Sequence, residues 1–218
     1  MEIVLATTNP GKVRELRSIL EPLLADSPHR WSMLSLEEAS AALRVPLPPE
    51  PEESGYSFAD NARIKAIAYA RAFRRPCIAD DSGLQVDALN GEPGVHSAYW
   101  AGRTGTRAER DARNNAKLLE AMRGVPANQR TARFVCVMSV AGVAGRVQHQ
   151  VKGIFEGRIC FEPHGTGGFG YDPLFRLPDR DCTSAELSPA EKNARSHRGA
   201  AARVLGAWIR DHGDALLQ

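Results

Sequence analysis

The sequence predicts an α/β fold built on a mixed β-sheet. Short apolar runs at residues 3–6 and 76–79 read as buried strands, and segments with helical spacing follow them. Two further strand-like segments, 132–140 and 148–161, succeed each other without a helix between them, which favours their pairing with one another. A chain of 218 residues is long enough for one well-buried domain, or for one domain with two lobes.

The first helix is predicted by its start signal and by its apolar spacing. Asn9 and Pro10 supply an N-cap residue and a first-turn proline. Apolar residues then recur at helical intervals, at Val13, Leu16, Ile19 and Leu20. The chain therefore opens as strand, turn and helix.

The middle of the chain carries clear start and stop signals. Four prolines within Val45–Pro51 predict an extended loop, since proline fixes φ and lacks a backbone donor. Ser57 with Asp60 resembles a capping box and predicts a helix that ends near Phe73. The strand at 76–79 is expected to end at the polar run Asp80–Gly83.

The same type of signal predicts two later helical regions. Thr106 with Glu109 marks the start of a helix that runs to about Met122. Ser188-Pro189 with Glu191 marks the start of the last helical region.

Composition narrows the class of protein. Apolar and charged residues make up 43% and 25% of the chain, ordinary fractions for a soluble globular protein. A net charge of +2 is too small to indicate a nucleic-acid or membrane partner. The four cysteines are far apart and form no metal-binding spacing, and the N-terminal segment lacks a signal-peptide pattern. We therefore expect a cytosolic protein with reduced thiols.

The first candidate segment for chemistry is Thr7–Lys12, between the first strand and the first helix. It reads Thr-Thr-Asn-Pro-Gly-Lys, which brings hydroxyls, a glycine and an ammonium group to a helix N-terminus that favours anions. It is not a Walker A loop, because Val13 follows the lysine. Phosphate binding and an ordinary capped turn both remain open.

The second candidate is Asp80–Gly83, with two adjacent carboxylates expected at a strand end. In an extended chain neighbouring side chains point in opposite directions, so one carboxylate would face a site and the other would support it. A hard cation such as Mg²⁺ would relieve their repulsion. The alternative is an acidic turn that caps a helix.

The third candidate is the most informative, the segment Gly165–Phe175. It reads Gly-Thr-Gly-Gly-Phe-Gly-Tyr-Asp-Pro-Leu-Phe, and its glycines indicate a backbone that bends sharply or approaches a ligand closely. Phe169, Tyr171 and Asp172 suit a planar polar ligand such as a nucleobase. Pro173 argues against the helix that a Rossmann site requires, and a surface turn is the alternative.

The fourth candidate is Glu191–Arg198. Its cations Lys192, Arg195 and Arg198 would lie within two turns of one another on a helix. Taken alone, this segment favours a solvated basic helix face over a binding site.

Together these motifs resemble the inosine/xanthosine triphosphate pyrophosphatase family, in order and spacing over essentially the whole chain. The motifs are Thr-Thr-Asn-Pro-Gly-Lys, Ala-Asp-Asp-Ser-Gly-Leu, Gly-Gly-Phe-Gly-Tyr-Asp-Pro-Leu-Phe and Glu-Lys-Asn-Ala-Arg-Ser-His-Arg-Gly. The resemblance implies hydrolysis of ITP, dITP and XTP to the monophosphate and pyrophosphate, which keeps these nucleotides out of DNA and RNA. It implies Mg²⁺, a cytoplasmic homodimer, and one domain over residues 1–218 with an elongated mixed sheet flanked by helices and two lobes about a central cleft.

The resemblance also implies roles for individual residues. Asp81 would be the general base and a metal ligand, and Glu53 the second acid at the metal, with its neighbour Glu52 as the alternative. The residues implied at the phosphates and sugar are Thr7, Thr8, Asn9, Pro10, Gly11, Lys12 and Ser82. Those implied to hold the nucleotide are Phe169, Gly170, Tyr171, Asp172, Lys192, His197 and Arg198. Among these, Phe169 is the candidate for stacking on the base, and His197 and Arg198 for its polar edge.

Other functions stay open at this point. A related pyrophosphatase could act on pyrimidine or other modified nucleotides. A non-catalytic nucleotide sensor or an RNA-binding module belongs to a different class, and the near-neutral charge with paired acids at Asp80 and Asp81 speaks against RNA.

Overall fold

The computed structural model describes all residues from Met1 to Gln218. Six strands form the sheet: β1 Glu2–Leu5, β2 Ser32–Leu34, β3 Cys77–Val86, β4 Thr131–Ala141, β5 Val147–Ile159 and β6 Phe175–Arg176. Six α-helices accompany them: α1 Pro10–Leu24, α2 Leu36–Leu43, α3 Phe58–Phe73, α4 Arg107–Ala121, α5 Pro189–Arg195 and α6 His197–His212.

The sheet is mixed, as the sequence predicts. Its strand order is β2-β1-β3-β4-β5-β6. Strand β1 pairs in parallel with β2 and β3, whereas β5 and β6 are antiparallel. The predicted α/β class is therefore confirmed.

The helix starts follow the capping signals. The side chain of Asn9 accepts a hydrogen bond from the Gly11 N–H at the start of α1. Complete capping boxes open α4, at Thr106 with Glu109, and α5, at Ser188 with Glu191. These local contacts satisfy backbone donors that a helix end would otherwise leave unpaired.

The chain divides into two compact units. The first comprises Met1–Asp81, Cys136–Gly153 and Arg198–Gln218, and the second comprises Ser82–Val135 and Ile154–His197. Two apolar clusters form the core of the first unit, one around Leu5, Leu20 and Leu205 and the other around Ala66 and Phe73.

The second unit has a core of its own. It gathers Leu84, Leu118, Phe134, Phe155 and Phe175. The Phe134 and Phe175 rings lie 4.4 Å apart, and the Phe155 and Phe175 rings 5.2 Å apart.

Two features of the secondary structure differ from the sequence-based expectation. The run Asp80–Gly83 lies inside β3 and not in a loop after it, because Leu84 and Val86 continue the buried strand. Gly83 permits this path, since a Cβ there would lie 2.3 Å from the Ser97 hydroxyl oxygen.

The last helical region is also interrupted. Ser196 has an extended conformation, with ψ of 157°, which separates α5 from α6. Lys192 and Arg198 therefore lie on different helices, and both are buried. The expected solvated basic face is wrong for these two cations.

Candidate active site

The two adjacent aspartates of β3 serve different clusters. Successive side chains of a strand point to opposite faces, and both carboxylates are buried. Asp80 contacts Lys12 and Arg198, whereas Asp81 contacts Asn61 and Lys65. The two side chains therefore have different partners, as their alternation along a strand predicts.

Asp80 is held by two cations. Lys12 Nζ lies 2.9 Å from Asp80 Oδ2, and Arg198 donates to the same oxygen from Nε at 3.2 Å and from Nη2 at 3.1 Å. Arg198 Nη1 also donates to Glu15 at 2.7 Å. Burial alone would raise the pKa of Asp80, but the charges of Lys12, Arg198 and Lys65 outweigh it and hold the pKa well below its ordinary value.

Asp81 shares a lysine with Glu53. Lys65 Nζ lies 3.2 Å from Asp81 Oδ1 and 2.6 Å from Glu53 Oε1, and Asn61 donates to Asp81 Oδ2 at 3.3 Å. Burial, with the nearby Glu53 charge, raises the pKa of Asp81 against the opposing effects of Lys65 and Lys12. Burial would lower the pKa of Lys65, but the Asp81 and Glu53 charges raise it. The result is a pair of carboxylates, the buried Asp81 and the half-buried Glu53, on one buried ammonium group.

The geometry also separates Glu53 from Glu52. Glu53 reaches Lys65, while Glu52 is exposed. The loop is anchored nearby, where the Gly55 N–H donates to Asn61 Oδ1 at 2.9 Å. Of the two candidates, Glu53 is the one that the structure brings beside Asp81.

The Thr7–Lys12 loop turns its polar groups inward at two points. The Asn9 N–H donates to Thr7 Oγ1 at 3.2 Å, and the Lys12 side chain reaches Asp80. Thr8 and Pro10 are exposed and Gly11 is half-buried. The loop thus places the exposed residues Thr8 and Pro10 and the Lys12 ammonium group at the N-terminus of α1.

In the second unit, Asp172 contacts two other residues that are predicted to bind the nucleotide. Its Oδ2 accepts from Lys192 Nζ at 2.6 Å and from the Phe169 N–H at 2.8 Å. Lys192 Nζ also lies 4.6 Å from the centre of the Phe169 ring, within the range of a cation–π contact. Asp172, Lys192 and Phe169 therefore form one cluster.

The glycines allow this cluster to form. Gly168 has φ of +74°, and a Cβ there would lie 2.1 Å from Asp172 Oδ2. Only glycine accommodates both the left-handed backbone and this close approach.

Three other predicted residues have surroundings that sequence patterns do not reveal. Tyr171 is buried in the core, its hydroxyl donates to the Ser97 carbonyl at 3.0 Å, and burial raises its pKa. His197 is buried and stacks on Phe134 with ring centres 4.9 Å apart. Ser82 follows Asp81 in β3 and is half-buried. Tyr171 is thus paired within the core of the second unit, and its contact with the nucleotide stays a prediction.

Comparison with known proteins identifies the family. The model of the Ham1 family matches residues 3–208. The chain belongs to the Ham1 family. Among its relatives is the dITP/XTP pyrophosphatase of Geobacillus kaustophilus, 48% identical over 204 residues, which cover 94% of this chain and 92% of the relative. The dITP/XTP pyrophosphatase of Pseudomonas aeruginosa is 46% identical over 205 residues, with 94% of both chains covered.

Solved structures of Ham1 proteins have the same fold. A HAM1 protein from Coxiella burnetii aligns with a TM-score of 0.81 at 38% identity, over 97% of this chain and 99% of that chain. The dITP/XTP pyrophosphatase from Mycobacterium abscessus aligns with a TM-score of 0.71 at 42% identity, over 95% and 97%. The family resemblance read from the motifs is confirmed.

Two residues that contact Asp81 lie outside the sequence motifs of this Ham1 protein. Asn61 and Lys65 lie one turn apart on α3 and both contact Asp81. A signal was present, because these polar residues occupy the helix face that carries Ala62, Ala66 and other buried residues. A lysine on an otherwise apolar helix face requires a buried partner.

No helix has the length and apolar character to span a membrane. The structure also shows which carboxylates are available to a metal ion. No group of three or more His, Cys, Asp or Glu side chains has a geometry that could hold a metal ion. Glu53 and Asp81 share one cation, Lys65, which shows that their oxygens converge on a point of positive charge. Mg²⁺ is commonly held by one or two carboxylates together with substrate phosphates. Glu53 and Asp81 are the two carboxylates that would hold such an ion together with substrate phosphates.

Proposed function

We propose that this chain hydrolyses deaminated purine nucleoside triphosphates, namely ITP, dITP and XTP, to the nucleoside monophosphate and pyrophosphate. The observation that carries the proposal is the pair of carboxylates, Glu53 and Asp81, on the buried Lys65, in a chain whose relatives are named dITP/XTP pyrophosphatases. The reaction removes these nucleotides before they enter DNA or RNA.

Asp81 is the proposed general base. Water attacks the α-phosphorus, the bond from that phosphorus to the bridging oxygen breaks, and pyrophosphate leaves while Asp81 takes the proton from water. Burial raises the pKa of Asp81, which brings its basicity closer to neutral pH. Lys65 keeps the carboxylate oriented through its 3.2 Å contact.

The triphosphate is bound by the Thr7–Lys12 loop and its lysine. The N-terminus of α1 favours anions, and Lys12 adds a positive charge within 2.9 Å of Asp80. Preorganised donors of this kind stabilise charge that develops on phosphate oxygens.

Mg²⁺ is the proposed cofactor, with Glu53 and Asp81 as its protein ligands. When bound, it neutralises phosphate charge and polarises the phosphoryl group. The support is the convergence of the two carboxylates on Lys65. Removal of divalent cations with EDTA should abolish turnover, and added Mg²⁺ should restore it.

The base is recognised by Phe169, Asp172 and Lys192. The Phe169 ring offers a stacking surface, worth about 1–3 kcal/mol per base by analogy with other nucleotide sites. The Asp172 carboxylate and the Lys192 ammonium, 2.6 Å apart, present an acceptor for N1–H and a donor for the 6-oxo group. Adenine has neither feature, and a buried mismatch of this kind costs roughly 10⁴–10⁵-fold. GTP shares both features and must be rejected through its 2-amino group.

A nucleotide panel tests the proposal. We expect kcat/KM for ITP and XTP to exceed that for ATP and GTP by several orders of magnitude. A preference for a pyrimidine or another modified nucleotide would assign the chain to a related pyrophosphatase. Tight binding of ITP without turnover in the presence of Mg²⁺ would make it a nucleotide sensor.

We also propose a cytoplasmic homodimer as the working form. The motif resemblance supports both statements. Light scattering of the purified chain should give twice the mass of 23.7 kDa. Fractionation of cells should place the protein with cytosolic markers.

A further inference from the structure

One face of helix α4 holds the loop that carries Phe169. Arg107, Asp111 and Asn115 are spaced four residues apart, so they line the same side of the helix. All three reach the short segment Phe169–Gly170. This face of the helix, defined by these three residues, is called the α4 clamp below.

Two of the contacts hold both polar groups of a single residue. Asp111 Oδ2 accepts from the Gly170 N–H at 2.9 Å, and Asn115 Nδ2 donates to the Gly170 carbonyl at 3.0 Å. Gly170 has φ of +64°, so its backbone sits in a region that only glycine adopts readily. Fixing the peptide groups on both sides of this glycine fixes the direction in which the preceding Phe169 leaves the chain.

The third contact acts on the ring itself. The Arg107 guanidinium carbon lies 4.9 Å from the centre of the Phe169 ring, and Arg107 Nε lies 3.8 Å from Asp111 Oδ2. Asp111 therefore contacts both Arg107, which lies against the Phe169 ring, and the Gly170 backbone.

The three residues of the α4 clamp lie outside the apolar cluster to which α4 is attached. That helix is attached to the core by Leu118, which is fully buried, and Met122 packs into the same cluster directly after the helix ends. The clamped loop has no regular secondary structure before Asp172 and its Phe169 ring is only half-buried. Without the α4 clamp, the Phe169 ring would lose conformational freedom each time it bound a planar ligand.

We propose that Asp111 and Asn115 are positioning residues that hold Phe169 ready to stack on the purine base. The proposal rests on the proposed function, since it takes Phe169 to be the stacking residue. Neither side chain needs to touch the nucleotide, because both act through the Gly170 backbone. Preorganisation of a binding group by a second layer of contacts strengthens binding without adding a contact to the ligand.

The first test compares Asp111→Ala and Asn115→Ala with the parent protein. Each should raise KM for ITP and weaken calorimetric binding of IMP by about 3- to 10-fold, with kcat within about twofold. Asp111→Asn keeps an oxygen that accepts from the Gly170 N–H, so it should restore most of the affinity. Glu120→Ala is the matched control, since Glu120 is an exposed carboxylate on the same helix that pairs only with Arg123.

A double-mutant cycle with Phe169→Ala separates positioning from general support. If Asp111 and Asn115 act through the ring, adding either alanine to Phe169→Ala should change IMP affinity by less than about twofold. Full additivity in the cycle, or unchanged KM and IMP affinity in both single variants, would overturn the proposal. Should Asp111→Ala fail to fold, Asn115→Ala alone decides the outcome in the same way.

The outcomes distinguish this inference from the proposed function. A parent protein that does not turn over ITP refutes the function and removes the basis for the inference. A parent protein that hydrolyses ITP, with Phe169→Ala impaired and both clamp variants normal, refutes the inference alone.

Discussion

Replacing Asp80 by asparagine should destabilise the fold, whereas the same change at Asp81 should not. The Asp80→Asn substitution keeps the shape of the side chain and removes its charge. Asp80 Oδ2 is contacted by Lys12 at 2.9 Å and by Arg198 at 3.1 and 3.2 Å, and Asp80 and Arg198 are each only 1% exposed. The variant therefore leaves two cations around a neutral group.

The size of the effect follows from this burial. Removing one partner of a buried ion pair costs about 3–5 kcal/mol, because the remaining charge stays desolvated. For a chain of this size each kcal/mol lowers Tm by about 2–4 °C, so the expected loss is roughly 6–20 °C. Asp81→Asn should change Tm by only a few degrees, because burial already raises the Asp81 pKa and Lys65 keeps Glu53 at 2.6 Å.

The Tm loss in Asp80→Asn should also depend on pH. Because the pKa of Asp80 is lowered in the folded state, its ionised form stabilises the protein above the unfolded pKa of about 3.9. That stabilisation is lost as pH falls from there through the folded pKa. The Tm gap between the parent and Asp80→Asn should be full at pH 7 and should narrow below about pH 4.

Differential scanning calorimetry of the two variants measures both effects. Equal Tm values for Asp80→Asn and the parent at pH 7 would refute the assignment of Asp80 to a buried ion cluster. Equal losses in Asp80→Asn and Asp81→Asn would refute the division of roles between the two aspartates.

Three further predictions concern catalysis, substrate binding and the glycine-rich segment. Asp81→Asn should lower kcat for ITP by about 10²–10⁴-fold and remove the acid limb that ionisation of Asp81 gives to the parent's pH profile, since the ionised form of Asp81 is the base. Burial raises the Asp81 pKa, so this limb lies at a higher pH than for an ordinary aspartate. A near-normal rate would refute Asp81 as the base. Lys12→Ala and Lys192→Ala should mainly raise KM for ITP in steady-state assays, and an unchanged KM in both would contradict their binding roles. Gly168→Ala should lower Tm by more than Gly124→Ala does, because both glycines have positive φ but only the Gly168 Cβ would meet a neighbour, Asp172 Oδ2 at 2.1 Å; equal Tm losses would show that the backbone alone requires glycine there.

The fold class and the helix starts could be predicted because their signals are local. A capping residue and its partner lie three residues apart, and buried strands appear as apolar runs. The strand β3 shows where this fails. Asp80-Asp81-Ser82-Gly83 looks like a loop, and it stays in the strand because each carboxylate finds cationic partners and Gly83 packs closely on Ser97.

The ion clusters could not be predicted because their partners are distant in sequence. Asp80 and Arg198 are separated by 118 positions, and Asp81 and Lys65 by 16. The motif resemblance placed Arg198 at the edge of the base, and the structure puts its guanidinium on Asp80 and Glu15. A role for Arg198 in reading the base stays a prediction, tested by whether Arg198→Ala loses more activity on ITP than on ATP.

The most direct measurement is the fate of the oxygen that water delivers. The purified chain is incubated with ITP and Mg²⁺ in ¹⁸O-labelled water, the products are separated, and their masses are measured by mass spectrometry. Attack at the α-phosphorus predicts IMP carrying one ¹⁸O and unlabelled pyrophosphate as the first products. IDP with labelled orthophosphate, or labelled pyrophosphate with unlabelled IMP, would contradict the account.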